Sequence, residues 1–427
     1  PPLEGPCSWL VIPANRSRLS PVNFQDTQLI GVLARAESTV SSLSNLLGGL
    51  VEKFAARGYS LYLVGGSVRD ALLGRLGNDL DFTTPARPEV VKEILDEWAE
   101  TVWDTGIDFG TVSAAYKGQQ IEITTFRSDS YDGQSRNPEV VYGGDTLEGD
   151  LVRRDFKANA MAIELLADAS FKFHDPLHGL QDIADRVLDT PDKPEISFHD
   201  DPLRMLRAAR FASQLEFRVA DRVVDAMRDM AGEIQRITVE RVQVELDKLI
   251  CGTAPWDGIE LLFSTGIADY IFPEIPALRM TADEHAQHKD VYAHSLKVLS
   301  QAMDQEEDGP DLVLRWAALL HDIGKPDTFD NTDGKVSFHH HEVVGAKLAR
   351  KRLRKLKYPK ATTEAIGQLV YLHMRFHGFG ENQWTDSAVR RYVTDAGDLL
   401  PRLHKLVRAD CTTRNAKKAR RLQRTYD

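Results

Sequence analysis

The seventeen residues from Gly65 to Asp81 restrict the fold more than any other stretch of this chain. A short apolar run, Tyr62-Leu63-Val64, is closed by the paired glycines Gly65 and Gly66, and Asp79-Leu80-Asp81-Phe82 follows. That order predicts a strand, a tight turn, a helix starting near Val68 and a second strand. Alternation along the second strand puts Asp79 and Asp81 on one face, ~6–7 Å apart. Two carboxylates so placed repel each other unless cations lie between them. Mg²⁺ suits the position, because it takes hard oxygen ligands and shares them with substrate phosphates. The paired glycines let backbone N–H groups approach an anion, and the start of the helix adds a favourable field. Arg69 offers a cation beside Asp70 for a triphosphate. Glu122, in the apolar run Ile121-Glu122-Ile123, is the candidate third carboxylate; a paired glutamate on a strand fits its pattern equally well.

Around this segment the pattern is that of an α/β head with a mixed sheet and helices. Val40, Leu43, Leu46, Leu47, Leu50, Val51 and Phe54 recur at helical spacing and predict a helix over Val40–Arg57. Residues from Pro88 to Glu100 carry a second helical pattern. Ser128 to Gly149 is rich in Gly, Ser, Asp and Asn and predicts a mobile loop. Strand signals stop after about Pro191. Asp201–Phe217, Ala220–Ile234, Val239–Leu249 and Trp256–Gly266 all read as helices, and a third region, containing histidines, begins near Thr281. The expected division is therefore a leader at 1–38, a head at 39–190, a helical neck at 191–280 and a helical, histidine-containing domain with a basic tail at 281–427.

Charge refines this picture. The chain carries a net charge of −11, yet from Lys347 to Asp427 it has 20 Lys and Arg against 7 Asp and Glu, a local 20 − 7 = +13. A basic segment on an acidic body is compatible with binding a phosphate backbone, and equally with a solvated helix face. Cys7, Cys251 and Cys411 are far apart and form no CxxC pattern, so they read as reduced thiols. With no apolar run long enough to span a bilayer, a cytoplasmic location without membrane attachment is expected.

Leu63-Val-Gly-Gly-Ser-Val-Arg-Asp-Ala-Leu-Leu-Gly74 with Asp79-Leu-Asp81 resembles motif A of the class II tRNA nucleotidyltransferase and bacterial poly(A) polymerase family. Four further motifs follow in that family's order. Arg153-Arg154-Asp155-Phe-Lys-Ala-Asn159 resembles motif B, whose arginine and asparagine contact ribose and phosphates. Asp175-Pro-Leu-His-Gly179 with Asp182 resembles the hinge motif C. Asp201-Pro-Leu-Arg204-Met-Leu-Arg207 resembles motif D, and Glu240-Arg241 resembles motif E. The similarity covers roughly residues 60 to 427. Lys157-Ala158 replaces a usual Thr–aliphatic pair, Asp200 stands at a usual Glu, and Glu216 stands at a usual Gly.

The resemblance implies two-metal nucleotidyl transfer using Mg²⁺ held by Asp79 and Asp81, with CTP and ATP as substrates. It implies as acceptor a tRNA that lacks all or part of its 3′ CCA. The side chains of motif D suit that choice of nucleotide. Asp201 only accepts and Arg204 only donates, which matches the amino donor and ring-nitrogen acceptor on the Watson–Crick edges of cytosine and adenine. Uracil and guanine present N–H at the ring position and would leave buried groups unpaired. Arg207 braces the pocket or also reads the base. The loop Ser128–Gly149 is the expected lever for switching from C to A.

In the last region His294, His321-Asp322, His341, His373 and Asp410 stand in the order of an HD-domain metal site. The resemblance implies a second divalent metal there, Mn, Ni, Fe, Zn or Mg, either in a phosphohydrolase or in a fold kept to hold tRNA. Of the run His339-His340-His341, only His341 matches the motif. Two alternatives stand beside CCA addition: a poly(A) polymerase, since motifs A to E are shared, and an HD phosphohydrolase with a degenerate head.

Overall fold

The computed structural model describes residues 24–130, 139–142, 146–279, 290–332, 336–376 and 385–411. Cys7, Thr281, most of the expected leader and the last sixteen residues of the basic segment lie outside them. The chain divides into two compact units. One runs to Ser197 and takes in Arg218–Ala220; the other comprises Phe198–Phe217 and the chain from Asp221 onward.

The first unit is the α/β head. Helix α1 (Phe24–Ala56) leads into β1 (Leu61–Val64), α2 (Gly66–Leu72), β2 (Asp79–Thr84), α3 (Pro88–Asp96), β3 (Thr101–Trp103), β4 (Thr111–Tyr116) and β5 (Gln119–Thr125). A ribbon of β6 (Arg127–Ser130) and β7 (Glu139–Tyr142), α4 (Leu147–Val152), β8 (Ala162–Leu165), β9 (Phe171–His174), α5 (Gly179–Asp185) and β10 (Val187–Leu188) complete it. The sheet is mixed, in the order β3-β4-β5-β2-β1-β8-β9. Only β2 and β5 run parallel, and every other neighbouring pair is antiparallel.

Register follows the hydrophobic alternation. Val112, Ile123, Phe82, Leu63 and Ile163 pair across the sheet and point to one face, where all are buried. Helices α2 and α3 pack against the sheet and α1 packs on them, and burying each Leu, Ile or Phe contributes roughly 1.5–3 kcal/mol relative to exposure. The opposite face receives the polar residues of the same strands. A one-residue slip would exchange the two sets, so the core locks the orientation of the carboxylates.

Three expectations change here. The first helix starts at Phe24, well inside the stretch read as a leader. The Gly/Ser-rich segment is not all loop: β6 and β7 pair within it, and Thr146 caps α4 by accepting from the Gly149 N–H at 3.2 Å. Residues 131–138 and 143–145 lie outside the described residues. Strand structure also does not end at Pro191, because β11 (Arg218–Val219) returns to pair in parallel with β10.

Helix α6 (Pro194–Asp200) leads into the second, helical unit, whose neck comprises α7 (Leu203–Leu215), α8 (Asp221–Asp229), α9 (Val239–Ile250), α10 (Pro255–Ser264) and α11 (Ala268–Ile271). Then come α12 (Val291–Met303), α13 (Leu312–Leu320), α14 (His341–Lys355), α15 (Lys360–Leu372), α16 (Asp386–Ala396) and α17 (Leu400–Asp410). Buried polar groups tie neck and last helices together within this unit. Arg315 on α13 makes a bidentate pair with Glu306 at 2.8 and 2.6 Å and donates to the Ile250 and Gly252 carbonyls at the end of α9. Trp316 donates to Tyr358, which donates to Asp247 at 2.6 Å. Such satisfied networks specify one arrangement of helices, since breaking any member strands a buried partner.

The departure at Glu216 has a conformational meaning. Glu216 ends α7 with φ 57° and ψ 36°, the left-handed position where a helix usually places Gly. Lys157 also has a partner, Asp189 at 2.7 Å.

Candidate functional site

On β2, Asp79 and Asp81 are exposed while Leu80 and Phe82 are buried beneath them. Parallel pairing sets Asp81 directly opposite Glu122 on β5, so three carboxylates share one face of the sheet. Burial raises the Glu122 pKa first, and the charges of Asp81 and Asp79 raise it further. An all-oxygen cluster of this charge fits a divalent cation with oxygen preference.

A side chain absent from the motif reasoning holds the two aspartates in place. Strand β1 ends at Val64, so its pairing with β2 stops at Leu63↔Phe82. Beyond that point Ser67, from the first turn of α2, takes over. Its hydroxyl accepts from the Asp81 N–H at 2.9 Å and donates to the Asp79 carbonyl at 3.4 Å. The only signal for it in the sequence is a small hydroxyl residue directly after the paired glycines.

The turn itself requires glycine. Gly65 has φ 68°, and a Cβ there would lie 2.8 Å from Arg154 Nη1 and 3.9 Å from Asp81 Oδ2. The Arg154 guanidinium therefore lies against the turn beside Asp81, paired with Asp150 at 3.0 Å. Arg69 is drawn into the protein by its own bonds. It is 8% exposed, bidentate to Asp70 at 3.0 and 2.9 Å, and donates to Asn159 Oδ1 at 2.7 Å. Asn159 in turn donates to Asp155 at 2.9 Å. Asp70, Arg69, Asn159 and Asp155 form a chain of bonds that braces motif A against motif B. Gly66 lies against the same Arg69 guanidinium, and Arg153 is exposed.

The hinge motif is packed as closely. Asp175 caps α5 through the Gly179 and Leu180 N–H groups at 2.7 and 3.0 Å. A Cβ on Gly179 would stand 2.1 Å from the Lys157 carbonyl, so only glycine lets α5 approach the motif B turn. Asp182 Oδ2 is buried with no hydrogen-bond partner, and burial pushes the Asp182 pKa up to about 6 against the opposing pull of Lys157.

In the second unit Asp201 precedes α7 and accepts from the Leu203 N–H at 3.2 Å and from Arg241 at 3.1 Å. Arg241, of motif E, thus orients the motif D carboxylate. Arg204 and Arg207 follow at one-turn intervals on α7, both half-buried, and the Arg207 guanidinium lies 5.5 Å from the Phe211 ring centre.

Six histidine and aspartate residues converge in the same unit from five separate elements. His294 comes from α12, His321 and Asp322 from the end of α13, His341 from the start of α14, His373 from the end of α15 and Asp410 from the end of α17. Asp322 lies at the centre. Its oxygens are 3.2 Å from His321 Nε2, 3.3 Å from His341 Nε2, 3.7 Å from His294 Nε2 and 3.9 Å from His373 Nε2. Asp410 closes the group at 2.9 Å from His294 and 3.5 Å from His321, and Lys325 sits 2.6 Å from Asp322.

Three of the imidazoles spend Nδ1–H on a backbone carbonyl: His321 on Ala318, His341 on Phe338 and His373 on Val370, at 2.8, 2.9 and 2.6 Å. This assigns the tautomer and turns each Nε2 inward, where all three are buried without a hydrogen-bond partner. Buried, unpartnered nitrogens around a carboxylate could hold a divalent metal. Burial lowers the His321 pKa, but Asp322 and Asp410 outweigh it and push it up to about 10. Burial, with His321 nearby, pushes His373 down to about 3. Asp322 is held well below the usual carboxylate range despite its burial, chiefly by His321. A cation would replace the proton that the two aspartates otherwise hold on His321.

The fold and these clusters define a class: a nucleotidyltransferase-type head joined to a helical neck and an HD-type helical domain. Family models match in that order. Residues 61–189 match the poly A polymerase head domain, 216–278 the segment described as "Probable RNA and SrmB- binding site of polymerase A", and 291–414 the HD domain. Each of these three segments is similar to its domain family, and the resemblance drawn from motifs A to E is borne out. A CCA-adding enzyme of Levilactobacillus brevis is 41% identical over 232 residues, 53% of this chain and 56% of that one. One of Streptococcus thermophilus is 37% identical over 271 residues, 64% and 62% of the two chains. The chain thus spans little more than half the length of the curated relatives it matches. Among solved structures, the Bacillus stearothermophilus CCA-adding enzyme in complex with CTP covers 90% of this chain and 82% of its own at 27% identity, with a TM-score of 0.62. Among the described residues no helix is long and apolar enough to cross a membrane, and Cys251 and Cys411 are free thiols.

Proposed function

We propose that this chain adds CCA to the 3′ ends of tRNA from CTP and ATP, without a nucleic-acid template. The observation that carries the reading is the shared face of Asp79, Asp81 and Glu122 in a head whose relatives are CCA-adding enzymes. The primer 3′-oxygen attacks the α-phosphorus, a new P–O bond forms, the bond to pyrophosphate breaks and the hydroxyl proton leaves to solvent. Asp79 and Asp81 would hold Mg²⁺, which would supply Lewis-acid stabilisation of the charge that develops during the transfer. Glu122, with its raised pKa, completes the carboxylate set. Arg154 offers positive charge at the glycine turn, and the Arg69–Asn159 brace keeps motifs A and B in register. Asp201 and Arg204 read the amino group and ring nitrogen shared by cytosine and adenine, with Arg241 orienting Asp201. Location in the cytoplasm accords with this role.

The decisive experiment extends tRNA lacking its 3′ end with each labelled nucleotide singly and in mixtures. Incorporation of two C and then one A is the expected result. A long A tract overturns the reading in favour of a poly(A) polymerase.

The three unpartnered Nε2 atoms favour a second activity, metal-dependent hydrolysis of phosphoester ends in the HD domain. Elemental analysis of purified protein followed by a phosphodiesterase assay tests it. His321→Ala is expected to lose the bound metal and the hydrolysis while keeping nucleotide addition; unchanged metal content would remove the assignment.

A further inference from the structure

The basic segment that begins at Lys347 divides, once folded, into two sets of side chains with different work to do. The arginines of α14 are committed to the protein. Arg350 and Arg354 both pair with Glu364, at 2.7 and 3.0 Å, and Arg352 makes a bidentate pair with Glu274 at 2.7 and 2.9 Å while donating to the Ile271 carbonyl. The lysines are not. Lys347, Lys351, Lys355, Lys357 and Lys360 are all exposed, and among the described residues none of them takes part in an ion pair.

Three of the five stand at i, i+4 and i+8 on α14, so they form one stripe about 12 Å long with a charge about every 6 Å. Lys357 and Lys360 follow in the turn and at the start of α15, both exposed. The opposite side of α14 is buried through Ala346, Ala349 and Leu353, which fixes the direction in which the stripe points. Unpaired like charges repel one another, so the row is tolerated at the cost of that repulsion unless an anion neutralises it. Three flexible ammonium groups in a row, with two more exposed lysines close by in sequence, fit a linear array of phosphates, as point charges rather than bidentate readers of bases. An anionic lipid surface fits less well, because interfacial helices insert an apolar face and every exposed residue of α14 is Lys or Arg.

We propose that this lysine stripe on the HD domain binds the sugar–phosphate backbone of the RNA substrate, outside the 216–278 segment that matches the RNA-binding model. The proposal rests on the reading of the chain as an RNA 3′-end nucleotidyltransferase. Contacts of this kind carry no sequence information; they add affinity and position the RNA body, and they weaken with salt.

The test uses full-length protein with Lys347→Glu, Lys351→Glu and Lys355→Glu combined, and the corresponding Lys→Gln triple variant. Binding to tRNA lacking its CCA end is measured across a salt series, beside kcat and KM for CTP incorporation into the same tRNA. In the Glu variant tRNA affinity is expected to fall at least tenfold, with the Gln variant intermediate. The log–log salt slope should shrink by about 2 to 3 in the Glu variant, near the loss of three phosphate contacts. KM for tRNA should rise while kcat, metal content and far-UV circular dichroism stay as in the unaltered protein. Unchanged affinity and slope in a folded variant overturn the proposal, and so does loss of binding to phosphatidylserine vesicles with tRNA binding retained. The two readings fail separately: unaltered protein that binds tRNA through the stripe but adds no nucleotide refutes only the CCA activity. Protein that adds CCA while its Glu variant binds equally well refutes only the stripe.

Discussion

Ser67→Ala isolates the contribution of a single hydroxyl to the carboxylate site. The substitution removes one hydrogen bond of good length, from the Asp81 N–H at 2.9 Å, and a longer one of 3.4 Å to the Asp79 carbonyl. Ser67 is 4% exposed and β1 no longer pairs at this level, so the Asp81 N–H loses its partner on that edge. A stranded backbone donor costs about 1–3 kcal/mol; because Asp81 itself is exposed and water can reach part of it, the lower half, about 1–2 kcal/mol, is expected. The carboxylates keep β5 on their other side and therefore shift rather than unfold. If the lost energy falls mostly on the geometry that binds the cation, the rate of nucleotide addition drops about 5- to 30-fold, taking tenfold per 1.36 kcal/mol. Single-turnover addition of CTP is measured across a Mg²⁺ titration, together with thermal unfolding. The expected outcome is a higher Mg²⁺ midpoint and a lower maximal rate, with KM for CTP changed by less than about threefold and recovery in Ser67→Thr. A variant that melts earlier but shows the original Mg²⁺ midpoint and rate would refute the positioning argument and leave Ser67 a stability contact.

Arg204→Ala is expected to lower incorporation and relax the preference for CTP and ATP over UTP by about 1–3 kcal/mol, or 5- to 150-fold, as for a lost hydrogen bond to a buried charged group; a mutant that keeps rate and preference places the base pocket elsewhere. Glu216→Gly relieves a left-handed residue at the end of α7 and separates two like charges, since Glu216 also raises the pKa of Asp257 after burial does. A gain of about 0.5–1 kcal/mol is expected in denaturant unfolding, and a lower midpoint would contradict it. Asp182, with its pKa raised by burial to about 6, gives a signed pH dependence. Between about pH 4 and pH 6 the native state holds a proton that the unfolded chain has lost, so stability falls as pH rises through this window and stays lower above it. Asp182→Asn removes that loss, so its melting temperature should exceed that of the unaltered protein at pH 8 and approach it at pH 4.5; a difference independent of pH would show that the buried charge is not its source.

The head and helical body were legible in the sequence because strand alternation and helical spacing are local signals that the core later enforces. Asp79 and Asp81 were legible for the same reason, since a strand sends alternate residues to one face. Glu122 was readable only as a candidate, because its place opposite Asp81 depends on which strands pair. The partners of Arg69 were not legible in the sequence. Its neighbours in the chain suggest a free cation beside a phosphate turn, but Asn159, ninety residues away, takes up its guanidinium and leaves Arg154 at the turn. The helical reading began at Val40, although Leu29, Val32, Leu33 and Ala36 already continue the same spacing upstream in α1.

Residue types and their order were enough to place a carboxylate pair on one face of a strand and a glycine turn before a helix. These rest on geometry within a few residues, and covalent structure alone imposes it. Tertiary structure decided which charges face inward and which remain for a ligand. It brought six histidines and aspartates from five elements around Asp322, tied Asp201 to Arg241, and separated paired arginines from unpaired lysines on α14. Those outcomes depend on contacts between segments tens to more than a hundred residues apart, and linear spacing carries no record of such distances.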